Sequence, residues 1–254
     1  MEKIIIANWK LNPQTPREAK MLFGAIKKVA DRQTKVKTVI CPPVVFLSLF
    51  NSFKKNQRLS LGGQDCFWET SGAFTGQISP TMLKYAGADY VLIGHSEKRA
   101  LGDNRDTLRA KVKIALESGL KVVFCLGETE RDTSGRYLNT LRQQLNDGLG
   151  GIKKKSYFDQ VLIAYEPVWA IGQTAKAADT PEDFLHNSLF IRKELSVLIG
   201  KDKAMKMPIL YGGSVSSKNA VDFLSTGQAD GLLVGRESLR PANLAIILKQ
   251  AQTL

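Results

Sequence analysis

The sequence is poor in the residues that build metal centres and disulfide frameworks. Its 254 residues include only three cysteines and two histidines. Cys41, Cys66 and Cys125 have no CxxC or other metal-binding spacing, and His186 lies far along the chain from His95. We therefore expect no metal ion and no other cofactor, and we expect the thiols to be reduced and structural.

Long hydrophobic runs are also missing. The apolar run at residues 4–7 ends at Asn8, which is far too short for a membrane span, and its flanks lack the basic and small-residue features of a signal peptide. No linker or low-complexity segment divides the chain. The sequence thus predicts a cytoplasmic protein without membrane contacts, folded as one domain over residues 1–254.

Acidic residues are outnumbered by basic ones. The chain has 36 Lys and Arg against 24 Asp and Glu, a formal net charge of +12. A nucleic-acid partner would require these charges on one face, but the clusters fall in separate predicted helices or connections. We interpret them as a solvated basic surface without a nucleic-acid partner, which would also attract a dianionic phosphorylated substrate.

Eight short apolar runs alternate with helical patterns along the chain. The strand-like runs are residues 4–7, 36–41, 59–63, 90–93, 122–126, 161–165, 209–211 and 231–234. Helical periodicity is found at 17–30, 105–118, 137–149, 182–199 and 217–225, and Thr180 followed by Pro181 marks one helix start. Eight strand–helix units predict an α/β fold, a single closed (β/α)8 barrel rather than an open sheet.

Polar and glycine motifs follow several of these strands, at the end of the barrel where active groups lie. They are Asn8-Trp9-Lys10 after the first strand, Gly94-His95-Ser96-Glu97 after the fourth, Glu166-Pro167-Val168-Trp169 after the sixth, Tyr211-Gly212-Gly213-Ser214 around the end of the seventh, and Gly235-Arg236 after the eighth. These motifs closely resemble those of the triosephosphate isomerase family. The resemblance extends over the whole chain.

The resemblance implies a role for each polar residue. Glu166, at the end of a buried strand, would be the base that removes a carbon-bound proton. His95 would donate a hydrogen bond as a neutral ring, because the helix start that follows it disfavours a cation. Lys10 would add positive charge and Asn8 a polar donor, with Glu97 holding Lys10. Taken singly, these residues more often have structural roles: a capping or ion-paired carboxylate, a core histidine, and a turn with an exposed lysine.

The substrate phosphate would be held by backbone N–H groups, since glycine lets the main chain approach an anion closely. The candidates are Gly172, Gly213, Ser214, Gly235 and Arg236.

The chain departs from the family at three places. A longer loop of different sequence at 173–179 follows Gly172, Arg236 stands where a second glycine is usual, and Lys98 stands where the family usually has arginine. Because lysine lacks the rigid guanidinium fork, support around position 98 is altered. We expect the chemistry to be retained despite all three changes.

A long irregular segment at residues 65–79 contains three aromatic residues, which argues against disorder. In the resembled family this loop reaches into a neighbouring subunit and places the residue matching Thr75 beside Asn8 and Lys10 of that subunit. The resemblance therefore implies a homodimer.

Two other functions compete with isomerisation of a triose phosphate between its ketose and aldose forms, a reaction of glycolysis and gluconeogenesis. One is isomerisation of a four-carbon ketose phosphate such as an erythrulose phosphate, which would use the same base and electrophile. The other is a non-catalytic protein that binds phosphometabolites or a surface on the same barrel. Intact Lys10, His95 and Glu166 speak against the second alternative.

Overall fold

A computed structural model describes residues 2–52, 58–171 and 179–254 of the chain. Its strands are β1 (Lys3–Asn8), β2 (Val36–Cys41), β3 (Leu59–Gly63), β4 (Ala88–Ile93), β5 (Lys121–Leu126), β6 (Val161–Tyr165), β7 (Ile209–Tyr211) and β8 (Gly231–Val234). Each strand pairs in parallel with the next, and β8 pairs with β1, which closes the barrel. The predicted (β/α)8 barrel is confirmed, and the predicted strands differ from these by at most two residues.

Helices surround the barrel in the described ranges. They are α1 (Pro16–Ala30), α2 (Val44–Asn51), α3 (Pro80–Tyr85), α4 (Ser96–Ala100), α5 (Arg105–Glu117), α6 (Tyr137–Leu149), α7 (Pro181–Ile199), α8 (Lys201–Lys206), α9 (Ala220–Ser225) and α10 (Pro241–Gln252), with 3-10 turns at Lys155–Gln160, Val168–Ala170 and Arg236–Leu239. The predicted start of α7 is confirmed, because the Thr180 hydroxyl accepts the Asp183 N–H at 3.1 Å. The helix predicted from residue 217 begins three residues later, since Asn219 first closes a turn by accepting the Ser216 N–H.

Side chains alternate between the inside and the outside of the barrel. The inward-facing set includes Ile6, Ala164, Leu210 and Leu233, whereas their strand neighbours pack outward against the helices. A residue two positions beyond an inward-facing one keeps that direction at the end of the strand. This rule brings four residues to the mouth of the barrel: Asn8, Glu166, Gly212 and Gly235.

The three cysteines are free and buried. Burial raises the pKa of each thiol, that of Cys66 to about 12, so all three stay protonated and unreactive at neutral pH. The described residues contain no group of three or more His, Cys, Asp or Glu side chains placed to hold a metal ion. In the same part of the chain, no helix is long and apolar enough to span a membrane.

Candidate active site

A cavity of about 380 Å³ opens at the carboxyl ends of the strands. Residues that follow β1, β4, β6, β7 and β8 line it, so side chains from position 8 to position 236 meet in one place. Of the residues predicted from the sequence, the lining includes Asn8, Lys10, His95, Glu166, Gly213, Ser214, Gly235 and Arg236.

The Glu166 carboxylate is the most deeply placed charge in this cavity. Glu166 is only 2% exposed, and its backbone N–H donates to the carbonyl of Leu126 at 2.7 Å, which extends the pairing of β6 with β5. Its Oε2 accepts the Ser96 N–H at 3.0 Å, and its Oε1 lies 3.3 Å from Nε2 of His95. The carboxylate is therefore oriented by the start of α4.

His95 caps the first turn of α4. Its Nδ1 accepts the Glu97 N–H at 3.2 Å. A ring nitrogen that accepts an N–H carries no proton, so this geometry fits a neutral imidazole with its proton on Nε2. That nitrogen faces Glu166, where it can donate a hydrogen bond.

Lys10 has a left-handed backbone with φ of 53°, a conformation that costs a non-glycine residue about 1–3 kcal/mol. Surrounding groups hold it there: its N–H donates to Asn8 Oδ1 at 3.0 Å, and its carbonyl accepts from Gln64 Nε2 at 2.9 Å. Its Nζ lies 2.7 Å from Glu97 Oε1. Gln64 was not among the residues predicted from the sequence, although it lies directly after β3.

Free backbone donors line the part of the cavity formed by the loops after β7 and β8. Among the described residues, the N–H groups of Gly213, Gly235 and Arg236 donate to no other group. Such convergent donors can bind an anion. The Ser214 hydroxyl instead donates to the Ala170 carbonyl at 2.7 Å, joining the loop after β7 to the segment after β6. Gly172 and residues 173–178 lie outside the described residues.

Two local contacts shape this anion-binding region. A Cβ added at Gly213 would lie 2.2 Å from the Tyr211 hydroxyl, so only glycine fits without displacing that ring. Ser238, within the 3-10 turn Arg236–Leu239, donates from its buried hydroxyl to the Gly235 carbonyl at 2.6 Å. The Arg236 side chain is exposed, and it forms no ion pair with any described residue.

A second buried carboxylate, missed in the sequence, anchors the segment after Glu166. Oε1 of Glu128 accepts hydrogen bonds from the Tyr165 hydroxyl and from Trp169 Nε1, both at 2.8 Å. Burial raises the pKa of Glu128. Glu128 lies just beyond the end of β5, separated from it by Gly127, so the rule that active groups follow barrel strands could have identified it.

Arg131 and Asp179 complete this anchor. The Arg131 guanidinium lies 5.0 Å from the centre of the Trp169 ring, and its Nη1 lies 3.0 Å from Asp183 Oδ2 and 3.6 Å from Asp179 Oδ1. Burial raises the pKa of Asp179 to about 7.

Thr75 does not line the cavity of its own chain. It lies in the exposed loop after β3, where Phe74 packs against Phe67 with ring centroids 4.7 Å apart.

A closed barrel with a buried carboxylate, a hydrogen-bonding histidine, a lysine and free backbone donors in one cavity defines a barrel enzyme for a small anionic substrate. Comparisons with known proteins agree: a family model described as triosephosphate isomerase matches residues 3–251. The chain belongs to the triosephosphate isomerase family.

Individual relatives cover nearly the full length. A triosephosphate isomerase of Dehalococcoides mccartyi is 40% identical, over 100% of this chain and 98% of the relative. That of Aquifex aeolicus is 36% identical, over 98% and 99%. The crystal structure of triosephosphate isomerase from Bartonella henselae superposes with a TM-score of 0.85 at 33% identity, covering 98% of this chain and 99% of that one.

Proposed function

We propose that the chain interconverts dihydroxyacetone phosphate and D-glyceraldehyde 3-phosphate through an enediolate, with Glu166 as the base. The observation that carries this proposal is the position of the Glu166 carboxylate, buried in the cavity 3.3 Å from His95 Nε2. The carboxylate removes a proton from the carbon next to the carbonyl and returns it to the neighbouring carbon. No atom is gained or lost in this exchange.

His95 and Lys10 stabilise the charge that develops on the substrate oxygens. The His95 ring donates from Nε2, since its Nδ1 is occupied by the Glu97 N–H. A neutral donor can pass its proton to one substrate oxygen and recover a proton from the other. Lys10 adds a fixed positive charge, and the 2.7 Å contact with Glu97 keeps its long side chain in one direction. Asn8 orients Lys10 through the backbone and also faces the cavity.

The phosphate end is formed by backbone groups. The N–H groups of Gly213, Gly235 and Arg236 support binding of a dianion there, because each can donate without breaking a hydrogen bond to a described residue. Ser214 and Gly172 belong to the same proposed set. The exposed Arg236 guanidinium adds a positive charge at this end of the cavity.

A homodimer is proposed from the distribution of exposed apolar side chains. Several of them lie on segments that follow β1 to β4, one half of the barrel: Leu11, Val45, Phe74, Met82, Tyr85 and Leu101. Exposed apolar area concentrated on one side is typical of a subunit interface. Thr75, beside Phe74 in this region, would approach Lys10 of the second subunit.

The setting of the reaction follows from the substrate. We place the chain in glycolysis and gluconeogenesis, in the cytoplasm. We propose that it is a single-domain subunit that requires no metal or other cofactor and contacts neither membrane nor nucleic acid. The proton transfer described above supports the absence of a cofactor, since every group it uses is a side chain or backbone N–H of this protein.

A coupled assay with Glu166→Gln tests the proposal. Glutamine keeps the shape of the side chain but cannot accept the proton, so we expect turnover of dihydroxyacetone phosphate to fall by about 10²–10⁴-fold. A hydroxamate analogue of the enediolate should still bind. The matched control is Glu182→Gln, the same change at an exposed position on α7, which should leave turnover unchanged.

Three outcomes of this assay distinguish the alternatives. Near-wild-type turnover by Glu166→Gln would remove Glu166 from the role of base. Wild-type turnover of erythrulose phosphate in place of dihydroxyacetone phosphate would show the four-carbon specificity. No turnover of either sugar phosphate, with binding of both, would show a non-catalytic binding protein.

A further inference from the structure

A partly buried cluster of alternating charges lies beside the candidate active site. It consists of Asp65, Lys98, Asp103 and Lys111, which belong to four parts of the chain: the segment after β3, helix α4, the α4–α5 connection and helix α5. Because two carboxylates face two ammonium groups, the cluster is neutral as a whole.

Asp65 is the member that joins both lysines. Its Oδ2 lies 3.0 Å from Lys98 Nζ, and its two oxygens lie 2.9 and 3.0 Å from Lys111 Nζ. Lys111 is almost completely buried and also lies 2.7 Å from Asp103 Oδ1. Burial alone would lower the pKa of Lys111, but the two carboxylates outweigh that effect and the pKa is raised. Lys111 therefore stays charged and fixes Asp65 from one side.

The other side of Asp65 faces the active site. Its partner Lys98 lies two residues beyond Ser96 in α4, the helix whose start supplies His95 and the N–H donor to Glu166. The residue before Asp65 is Gln64, which holds the Lys10 carbonyl. The Asp65 carboxylate is thus connected to α4, which begins after His95, and through the adjacent Gln64 to Lys10.

We propose that Asp65 is a positioning residue that holds α4 in place through Lys98. A helix of five residues has too few internal hydrogen bonds to be rigid by itself, so contacts from outside must fix it. Lysine at position 98 makes a point contact and lacks the fork of the arginine usual in the family. The carboxylate of Asp65 supplies a charged partner at that point. The inference rests on the proposed function, since the groups positioned are its catalytic groups.

Asp65→Asn and Lys98→Met test this role, with Lys203→Met as the control. Lys203 has a similar side-chain exposure to Lys98, 33% against 39%, and pairs with Asp159 at 2.5 Å, away from α4. We expect each test variant to lower kcat on dihydroxyacetone phosphate by roughly tenfold, because small displacements of catalytic groups have large effects on rate. KM and competitive inhibition by inorganic phosphate should change less than about twofold, since the phosphate donors lie on other loops.

Two readouts separate positioning from general stability. The nitrogen-15 NMR signals of His95 should shift in both variants, while those of His186, the other histidine of the chain, should not. The double variant should be no slower than the slower single variant, because the Asp65–Lys98 contact that Lys98→Met removes is already broken by Asp65→Asn. If Asp65→Asn does not fold, Lys98→Met with the control still decides the question.

Unchanged kcat per folded subunit in the single variants, or losses that multiply in the double variant, would overturn the inference. Failure of the proposed function would look different. A wild-type protein without isomerase activity would refute the proposed reaction, whereas the His95 signals would still report whether Asp65 positions α4.

Discussion

Replacing Asp179 with asparagine tests whether a buried carboxylate lowers stability at neutral and alkaline pH. The Asp179 side chain has 0% exposure, and its Oδ1 lies 3.6 Å from Arg131 Nη1. Burial raises its pKa from 3.8 to about 7. At a pH between these two pKa values, Asp179 keeps a proton in the folded protein that it has released in the unfolded chain.

The sign of the effect follows from this difference. Below the unfolded pKa of 3.8 the carboxyl group is protonated in both states, so its contribution to stability is fully present. That contribution is lost as the pH rises through the folded pKa of about 7, where the buried group must ionise. At about 1.4 kcal/mol per pKa unit, the loss totals about 4 kcal/mol, of which about 3 kcal/mol falls between about pH 5 and about pH 8. Asparagine has no such loss.

Urea unfolding of the wild type and Asp179→Asn at several pH values measures the effect. The protein concentration must be constant, because the stability of an oligomer depends on it. The free energy of unfolding of the variant should rise relative to the wild type by about 3 kcal/mol from about pH 5 to about pH 8. Asp183→Asn removes the half-exposed partner of the same arginine and should cost less than about 1 kcal/mol. Parallel curves for wild type and Asp179→Asn would refute the reasoning.

Two further changes test the dimer and the phosphate site. Thr75→Arg should give monomers with little activity, because it places a bulky charge in the proposed interface; sedimentation that shows a fully active monomer would contradict this. Arg236→Gly should weaken competitive inhibition by inorganic phosphate by about tenfold at low ionic strength and by less at high ionic strength, since an exposed charge is screened by salt. Tighter phosphate binding in Arg236→Gly would show that the arginine obstructs the site and would favour a different sugar phosphate.

The barrel and the mouth of the active site were predictable because they depend on local periodicity. Strand runs such as 161–165 have a pattern that can be recognised without knowing the partner strand, and side-chain alternation then places Glu166 at the barrel mouth. Residue types with distinctive chemistry, such as His95 and Lys10, complete the prediction. Helix α4 was predicted only as a helix start after His95, without an end, since five residues show no amphipathic period.

The supporting contacts were not predictable, because they join residues that are distant in sequence. Gln64 and Glu128 could be noticed as polar residues that follow β3 and β5, but nothing in the sequence shows that one holds the Lys10 carbonyl and the other the Trp169 ring. The same holds for Asp65, whose partner Lys98 is known only from the fold. A sequence motif identifies the groups that react. The groups that orient them are recognised only from distances between side chains in the folded protein.

The distribution of these supports shows that one short helix orders most of the site. The base is held by the Ser96 N–H, the histidine by the Glu97 N–H and the lysine by the Glu97 carboxylate, so three proposed catalytic groups depend on the first two residues of α4. A displacement of that one helix would move the partners of all three at once. Substitutions that loosen α4 should therefore lower kcat while phosphate binding is retained. Substitutions in the loops after β7 and β8 should instead weaken phosphate binding while kcat is retained.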